Sequence, residues 1–266
     1  MRANTTHDQA TTSRLVKVLE AKAKNPTLAN FRRTFLDAMG LLPEASVVDL
    51  GCGTGVVARA LVQDHGLTGR ILGIDQDPVL LEAARSFASE NGVGDQIEFR
   101  EGNIEELDLP DASFDAATAQ TSISHTPNPE TALKEAARIL IPGGVFGLFD
   151  GDHETLTFGC PDKELGRKME REMRRASGHG RFVGDLPRLL SQAGFDRILA
   201  IPFVYLEVGA GGYWLDAANK LVESIGGSEV VTAAEIDRWL DGQKAASDNG
   251  TFFASCNYYA YIAQRA

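Results

Sequence analysis

From residue 46 to residue 150 the chain alternates short apolar runs with stretches whose apolar residues return every three or four positions. The runs predict strands over 46–50, 70–75, 96–100, 114–119 and 144–150. The stretches between them predict helices, and this alternation gives a largely parallel sheet covered on both faces. Before it, helices are predicted over 14–24, with Leu15, Val16, Val18 and Leu19 at helical spacing, and over 27–39, with Asn25-Pro26 separating the two. Asp77-Pro78 and Asn128-Pro129 each place a capping side chain before a proline at the first helical position, so helices are expected over 78–90 and 129–140. Pro142-Gly143-Gly144 is read as the turn into the next strand.

Past residue 150 the pattern predicts helices over 161–175 and 184–193 and a strand over 197–204. Two more helices, over 213–224 and 232–244, interrupt the sheet pattern, and an aromatic run over 251–262 reads as a last strand. The organisation expected is therefore N-terminal helices over 1–40, a main domain over 41–208 and 250–266, and a helical lid over 209–249.

Composition narrows the classes. A chain of 266 residues with 43% hydrophobic and 24% charged residues can bury a large core and is neither fibrous nor disordered. Its formal net charge of -11 gives no field that would draw in a phosphate backbone, so no nucleic acid partner is expected. Cys52, Cys160 and Cys256 are odd in number and far apart, which fits a reducing compartment, and no apolar leader or membrane span is visible, so a cytoplasmic location is expected.

The sharpest local signal is Val47-Val48-Asp49-Leu50-Gly51-Cys52-Gly53-Thr54-Gly55, an apolar strand entering a glycine-rich turn that opens a helix near Val56. Glycines allow close backbone approach, and the helix start offers free N–H groups, which suits a nucleotide-like cofactor. The dinucleotide pattern requires a glycine at the sixth position from Gly51, where Val56 stands. Asp75, about 20 residues past Gly55, ends the second strand, where a carboxylate can accept both hydroxyls of a ribose. The competing reading makes it an acid at a helix N-terminus.

Four segments together resemble the class I S-adenosylmethionine-dependent methyltransferases, in particular the group of the quinone-biosynthesis methyltransferases. They are Val48 to Gly55, Gly73-Ile74-Asp75-Gln76-Asp77-Pro78, Glu101 to Asp115, and His125-Thr126-Pro127-Asn128-Pro129 running to Pro142-Gly143-Gly144. The resemblance implies a Rossmann-like, doubly wound α/β sheet in three α/β/α layers, mostly parallel with an antiparallel last strand and carrying the helical lid insertion. It implies that Asp49, Gly51, Gly53 and Gly55 hold the methionine part of S-adenosyl-L-methionine, Asp75 the ribose, Gln76 the adenine edge, and Asn103 and Ile104 the adenine ring, with Gln120 bordering the methionine portion. Asn103 is equally readable as a plain turn residue.

Methyl transfer from a sulfonium needs alignment more than a catalytic group, and a base only where the acceptor must lose a proton. The candidates are His153 with Asp152, in a loop expected after the strand ending at Asp150, and His125 after the strand before it, where the family carries a histidine without a catalytic role. His179 and Arg181 are candidates for the substrate mouth, and Phe31, Phe35, Tyr205, Tyr213, Trp214 and Trp239 either sandwich an aromatic or apolar substrate or simply pack the core. A zinc site from His153, Cys160 and His179 fits no common spacing, so no metal is expected. The function expected is methyl transfer to oxygen, nitrogen or carbon of a small metabolite, by a monomer or homodimer. Two alternatives are an NAD(P)-dependent oxidoreductase, which lacks a Tyr-x-x-x-Lys pair here, and a protein that binds S-adenosylmethionine without methyl transfer.

Overall fold

Asn25 shows how the chain starts its folding units. Its side-chain oxygen accepts the N–H groups of Thr27 and Leu28 at 3.0 and 3.1 Å, which ends helix α1 (Gln9–Lys24) and opens α2 (Pro26–Ala38) at a proline that needs no donor. These are details of a computed structural model that describes residues 9–177, 182–225 and 229–266. His179 and Arg181 lie outside the described residues.

After α2 come β1 (Val47–Leu50), α3 (Val56–Gln63), β2 (Ile71–Asp75), α4 (Pro78–Glu90), β3 (Ile97–Glu101), β4 (Phe114–Gln120), α5 (Pro129–Ile139) and β5 (Leu140–Phe158). They are followed by α6 (Lys163–Ser177), α7 (Phe182–Ala193), β6 (Phe195–Gly209), α8 (Tyr213–Ile225), α9 (Ala233–Asp248) and β7 (Phe252–Arg265). The sheet order is β3-β2-β1-β4-β5-β7-β6. All four residues of β1 are buried, as in a strand covered on both faces, and β1 runs parallel to β2 and to β4. β2 pairs parallel with β3, and β4 with β5. β7 runs antiparallel beside β5: Gly159 N–H donates to Phe253 C=O at 2.7 Å while Asn257 N–H donates to Thr155 Oγ1 at 2.9 Å, so one strand ascends as the other descends. The doubly wound, mostly parallel sheet with an antiparallel last strand is the architecture expected from the sequence.

Three local expectations are corrected. Pro142-Gly143-Gly144 is not a turn ahead of the strand but a bulge inside it: Phe114 faces Leu140 and Ala116 faces Val145, with Gly143 at φ +78° letting the intervening residues loop out. The same strand runs on to Phe158, so Asp152 and His153 sit within β5 and not in a loop after it. The reason is pairing with β7, which satisfies backbone groups that a loop would leave to solvent. Asn128 precedes α5 as expected, yet its side chain does not cap that helix; its amide donates to Glu105 Oε2 at 2.8 Å instead.

The chain divides into two compact units, the first made of Met1–Asp150, Asp185–Ile201 and Ala260–Ala266, the second of Gly151–Gly184 and Pro202–Tyr259. In the first, Phe35, Leu50, Leu61, Ile71, Leu72, Phe114 and Phe146 are fully buried. A Cβ on Gly147 would stand 2.6 Å from Met39 Sδ and 2.8 Å from the Phe35 ring, so this glycine lets α2 lie against β5. In the second, Phe158 is the centre of an aromatic cluster with Trp239 at 5.1 Å, Phe252 at 6.4 Å and Trp214 at 6.5 Å, all edge-on. The Glu207 carboxylate accepts the N–H groups of Gly212, Tyr213 and Trp214 and so anchors the start of α8, and Thr232 with Glu235 forms a capping box at the start of α9. Phe31, Phe35, Tyr205, Trp214 and Trp239 are thus buried packing residues, and among the described residues no helix is long and apolar enough to cross a membrane. Truncating Phe158 to alanine is expected to cost about 3–5 kcal/mol, whereas Phe253→Ala, on a half-exposed ring, costs about 1 kcal/mol or less; denaturant titration of the two variants checks the contrast.

Candidate active site

Connections from β1 lead outward through β2 to β3 and then return to β4 on the other side of β1, so the carboxyl ends of β1 and β4 form a switch point, the place where an open parallel sheet binds ligands. The glycine-rich turn follows β1 at that point. Gly51, Gly53 and Gly55 adopt φ of +72°, +54° and +75°, a conformation that side-chain-bearing residues avoid. Space is equally demanding: a Cβ on Gly51 would lie 2.5 Å from Ser122 Cβ in the turn after β4, and one on Gly55 would lie 2.7 Å from the Phe99 ring. Gly55 opens α3 with no side-chain cap, leaving the helix start to whatever lies before it.

Asp75 ties this turn to the next strand. Its Oδ2 accepts the Gly53 N–H at 2.8 Å and its Oδ1 the Asp77 N–H at 3.0 Å. Each oxygen keeps a further lone pair for a ligand hydroxyl. Burial pushes the Asp75 pKa upward, against the pull of these amides. The competing reading of Asp75 as a helix-start acid falls to its neighbour, because Asp77 is the residue whose side chain caps α4, at 2.8 Å from Val79 N–H. Gly102 N–H donates to Asp75 C=O at 3.0 Å, which sets the turn holding Asn103 and Ile104 beside the end of β2.

Asp49 is buried within β1, opposite Thr118 of β4. Thr118 Oγ1–H donates to Asp49 Oδ1 at 2.9 Å, while Oδ2 has no hydrogen-bond partner. Burial raises its pKa to about 7, with the nearby Asp75 charge adding to the rise. Gln120, at the end of β4, also carries a buried side-chain oxygen, Oε1, without a partner. Cys52, within the turn, is buried, and burial pushes its thiol well above the usual range.

The structure therefore gathers Asp49, Gly51, Gly53, Gly55, Asp75 and Gln76 at the ends of β1 and β2, with the Asn103-Ile104 turn and Gln120 at the ends of β3 and β4. Gln76 and Asn103 are exposed and Ile104 is buried. The Asn103 carbonyl oxygen accepts Glu105 N–H at 3.0 Å, so the asparagine shapes its own turn whatever else its amide does. The candidate bases stand on other elements. His125 is exposed in a single helical turn after β4, in the first unit. Asp152 and His153 belong to the second unit, where the Asp152 carboxylate accepts Glu154 N–H at 3.2 Å and burial raises its pKa. Among the described residues no three His, Cys, Asp or Glu side chains gather as a metal site, and His179 of the suggested zinc set lies outside them. Sequence reading overlooked Thr118 and Ser122: nothing local marks them, and only the pairing of β1 with β4 brings them to Asp49 and Gly51.

Comparison with known proteins bears on the family and the fold. The family described as "Methyltransferase domain" matches residues 48–148. An uncharacterized 37.1 kDa protein in transposon TN4556 of Streptomyces fradiae is 31% identical over 94% of this chain and 71% of its own length. The ubiquinone/menaquinone biosynthesis C-methyltransferase UbiE of Hahella chejuensis is 30% identical over 50% of this chain, which spans 57% of that relative. Among solved structures, YcgJ of Bacillus subtilis superposes with a TM-score of 0.61 over 88% of this chain and 98% of its own, at 20% identity, a likeness of fold.

The raised pKa of Asp49 has a definite sign. The folded state holds the Asp49 proton more tightly than the unfolded chain, so its contribution to stability is full below the ordinary carboxyl value of 3.8 and is lost as pH rises toward about 7. Asp49→Asn is expected to remove that decline; the difference between wild-type and variant stability, measured by denaturant titration from pH 4 to 8, checks it.

Proposed function

Because the chain belongs to the class I S-adenosylmethionine-dependent methyltransferases, we propose that it binds S-adenosyl-L-methionine at the glycine turn and moves the methyl group to oxygen, nitrogen or carbon of a small metabolite in the cytoplasm. The observation that carries this reading is the triple of left-handed glycines locked against Asp75 through the Gly53 amide. The residues fit such a cofactor on their own chemistry. Asp49 and Gln120 present buried oxygens without partners on the methionine side, and the Asp75 carboxylate keeps lone pairs for two ribose hydroxyls. Gln76 and Asn103 supply amides at the adenine edge and Ile104 an apolar wall. When bound, the cofactor supplies a methyl group on a positively charged sulfur, open to in-line attack.

What the chain itself must do is bind, orient and exclude water. The glycines allow the backbone to approach closely, and the carboxyl groups at 49 and 75 offer acceptor oxygens to the donor groups of the cofactor. We assign acceptor selection to the N-terminal helices over 1–40 and to the segment 209–249, acting as a lid. Where the acceptor must lose a proton, His153 is the base, with Asp152 as its neighbour in the strand and His125 in a gating role. The quinone methyltransferase relative argues for an apolar or aromatic acceptor. The missing sixth-position glycine and absent Tyr-x-x-x-Lys pair weigh against an oxidoreductase.

Calorimetric titration with S-adenosylmethionine, S-adenosylhomocysteine and NAD tests the cofactor: binding of the first two and not the third is expected, and binding of NAD alone overturns the reading. In the same assay Asp75→Ala is expected to weaken S-adenosylhomocysteine by about 1.5–3 kcal/mol, and unchanged affinity removes Asp75 from the ribose. With an acceptor that must be deprotonated, His153→Ala is expected to lower turnover by about a hundredfold. A drop of less than about threefold assigns the base elsewhere.

A further inference from the structure

Among the described residues of the first unit, Arg59 is the one buried guanidinium. It stands on the first turn of α3, just past the glycine turn. Its Nη1 donates at 2.5 Å to the carbonyl oxygen of Thr54, inside the turn itself. Its Nη2 reaches both carboxylate oxygens of Glu20 on α1, at 2.9 and 3.0 Å. The guanidinium also lies 5.3 Å from the centre of the Phe87 ring on α4. Both ends of the ion pair are shielded, with side-chain exposures of 8% and 14%. Next to Glu20, Leu19 places Cδ1 3.3 Å from the point where a Cβ of Gly53 would stand. One cation thus joins the backbone of the turn to the helix that lies over it.

We propose that Arg59 and Glu20 are positioning residues that clasp α1 over the glycine turn, so that opening of this ion pair governs how fast the cofactor enters and leaves. The proposal rests on the cofactor reading above. A buried ion pair holds only while both partners are present, because taking each charge out of water is costly and loss of one leaves the other uncompensated. A pair of that kind behaves as a two-position device: closed, with Leu19 against Gly53, or open, with both charges returned to water. Arg59 holds Thr54 as well as Glu20, so the same event that frees α1 loosens the turn between Gly53 and Gly55. Lysine at position 59 would keep the charge but lose the fork that serves two acceptors at once.

The test is the exchange rate of S-adenosylhomocysteine on the full chain, measured by stopped flow and by displacement with excess ligand, for wild type, Glu20→Gln and Arg59→Lys. Both the association and the dissociation rate are expected to rise about tenfold in Glu20→Gln, with Kd moving far less. Glu20→Asp, which restores the charge, is expected to recover most of the slow exchange. Hydrogen exchange on wild type and Glu20→Gln supplies the second measurement: the amides of 14–24 should lose protection while those of β1 keep theirs. Rates within about twofold of wild type overturn the clasp and leave the cofactor reading standing. Faster exchange accompanied by loss of protection in β1 also overturns it, as general destabilisation. If wild type binds neither S-adenosylhomocysteine nor S-adenosylmethionine, the cofactor reading and the clasp fall together.

Discussion

Gly53 donates its N–H to the Asp75 carboxylate across 2.8 Å, and through that bond the turn after β1 is fastened to the end of β2. The bond requires Gly53 at φ +54°, which in turn requires left-handed neighbours at Gly51 and Gly55 to bring the chain round into α3. Gly51 and Cys52 reinforce it by donating both their amides to Ile74 C=O, at 2.8 and 2.9 Å. The positions of Asp49, Ser122 and the start of α3 follow from the path this turn takes. A side chain at Gly51 or Gly55 would meet Ser122 or Phe99 below 3 Å, so the constraint is steric as well as conformational.

The same turn concentrates negative charge in a place that disfavours it. Asp49 is buried with one oxygen unpartnered, and Asp75 is held largely away from solvent; the Asp75 charge adds to the upward shift of Asp49, and both add to that of the Cys52 thiol. Such an arrangement is poorly compensated by the chain alone, whose net charge is already -11. Strain of this kind at a switch point is characteristic of binding sites, where pKa values are displaced because charge is positioned for a ligand.

The second unit follows a different logic. Its order comes from aromatic packing around Phe158 and from well-made helix starts at Glu207 and Thr232. Trp239 and Gln243, four residues apart on α9, each keep a buried polar atom without a partner, while Gln243 Nε2 holds Gly159 C=O at 2.9 Å. The aromatics of this unit that look like a substrate clamp in the sequence, Tyr205, Tyr213, Trp214 and Trp239, pack in edge-on, tilted and stacked pairs with one another and with Phe158.

By itself the sequence determined the order of helices and strands, the parallel core, the glycine turn and the acid at the end of β2. Each of those is written in local rules: apolar periodicity, proline after a capping side chain, and glycines where φ must be positive. It also carried the family, because four motifs in fixed order lie within one continuous stretch. Tertiary structure alone decided that β5 runs through Asp152 and His153, since that depends on an antiparallel partner roughly a hundred residues later. Only tertiary structure brought Thr118 to Asp49, Ser122 to Gly51 and Glu20 to Arg59. Asp49 and Thr118 are 69 residues apart, Leu50 and the Ser122 hydroxyl that donates to its carbonyl oxygen 72, and Glu20 and Arg59 39, and no local pattern encodes contacts made by strand register and helix packing.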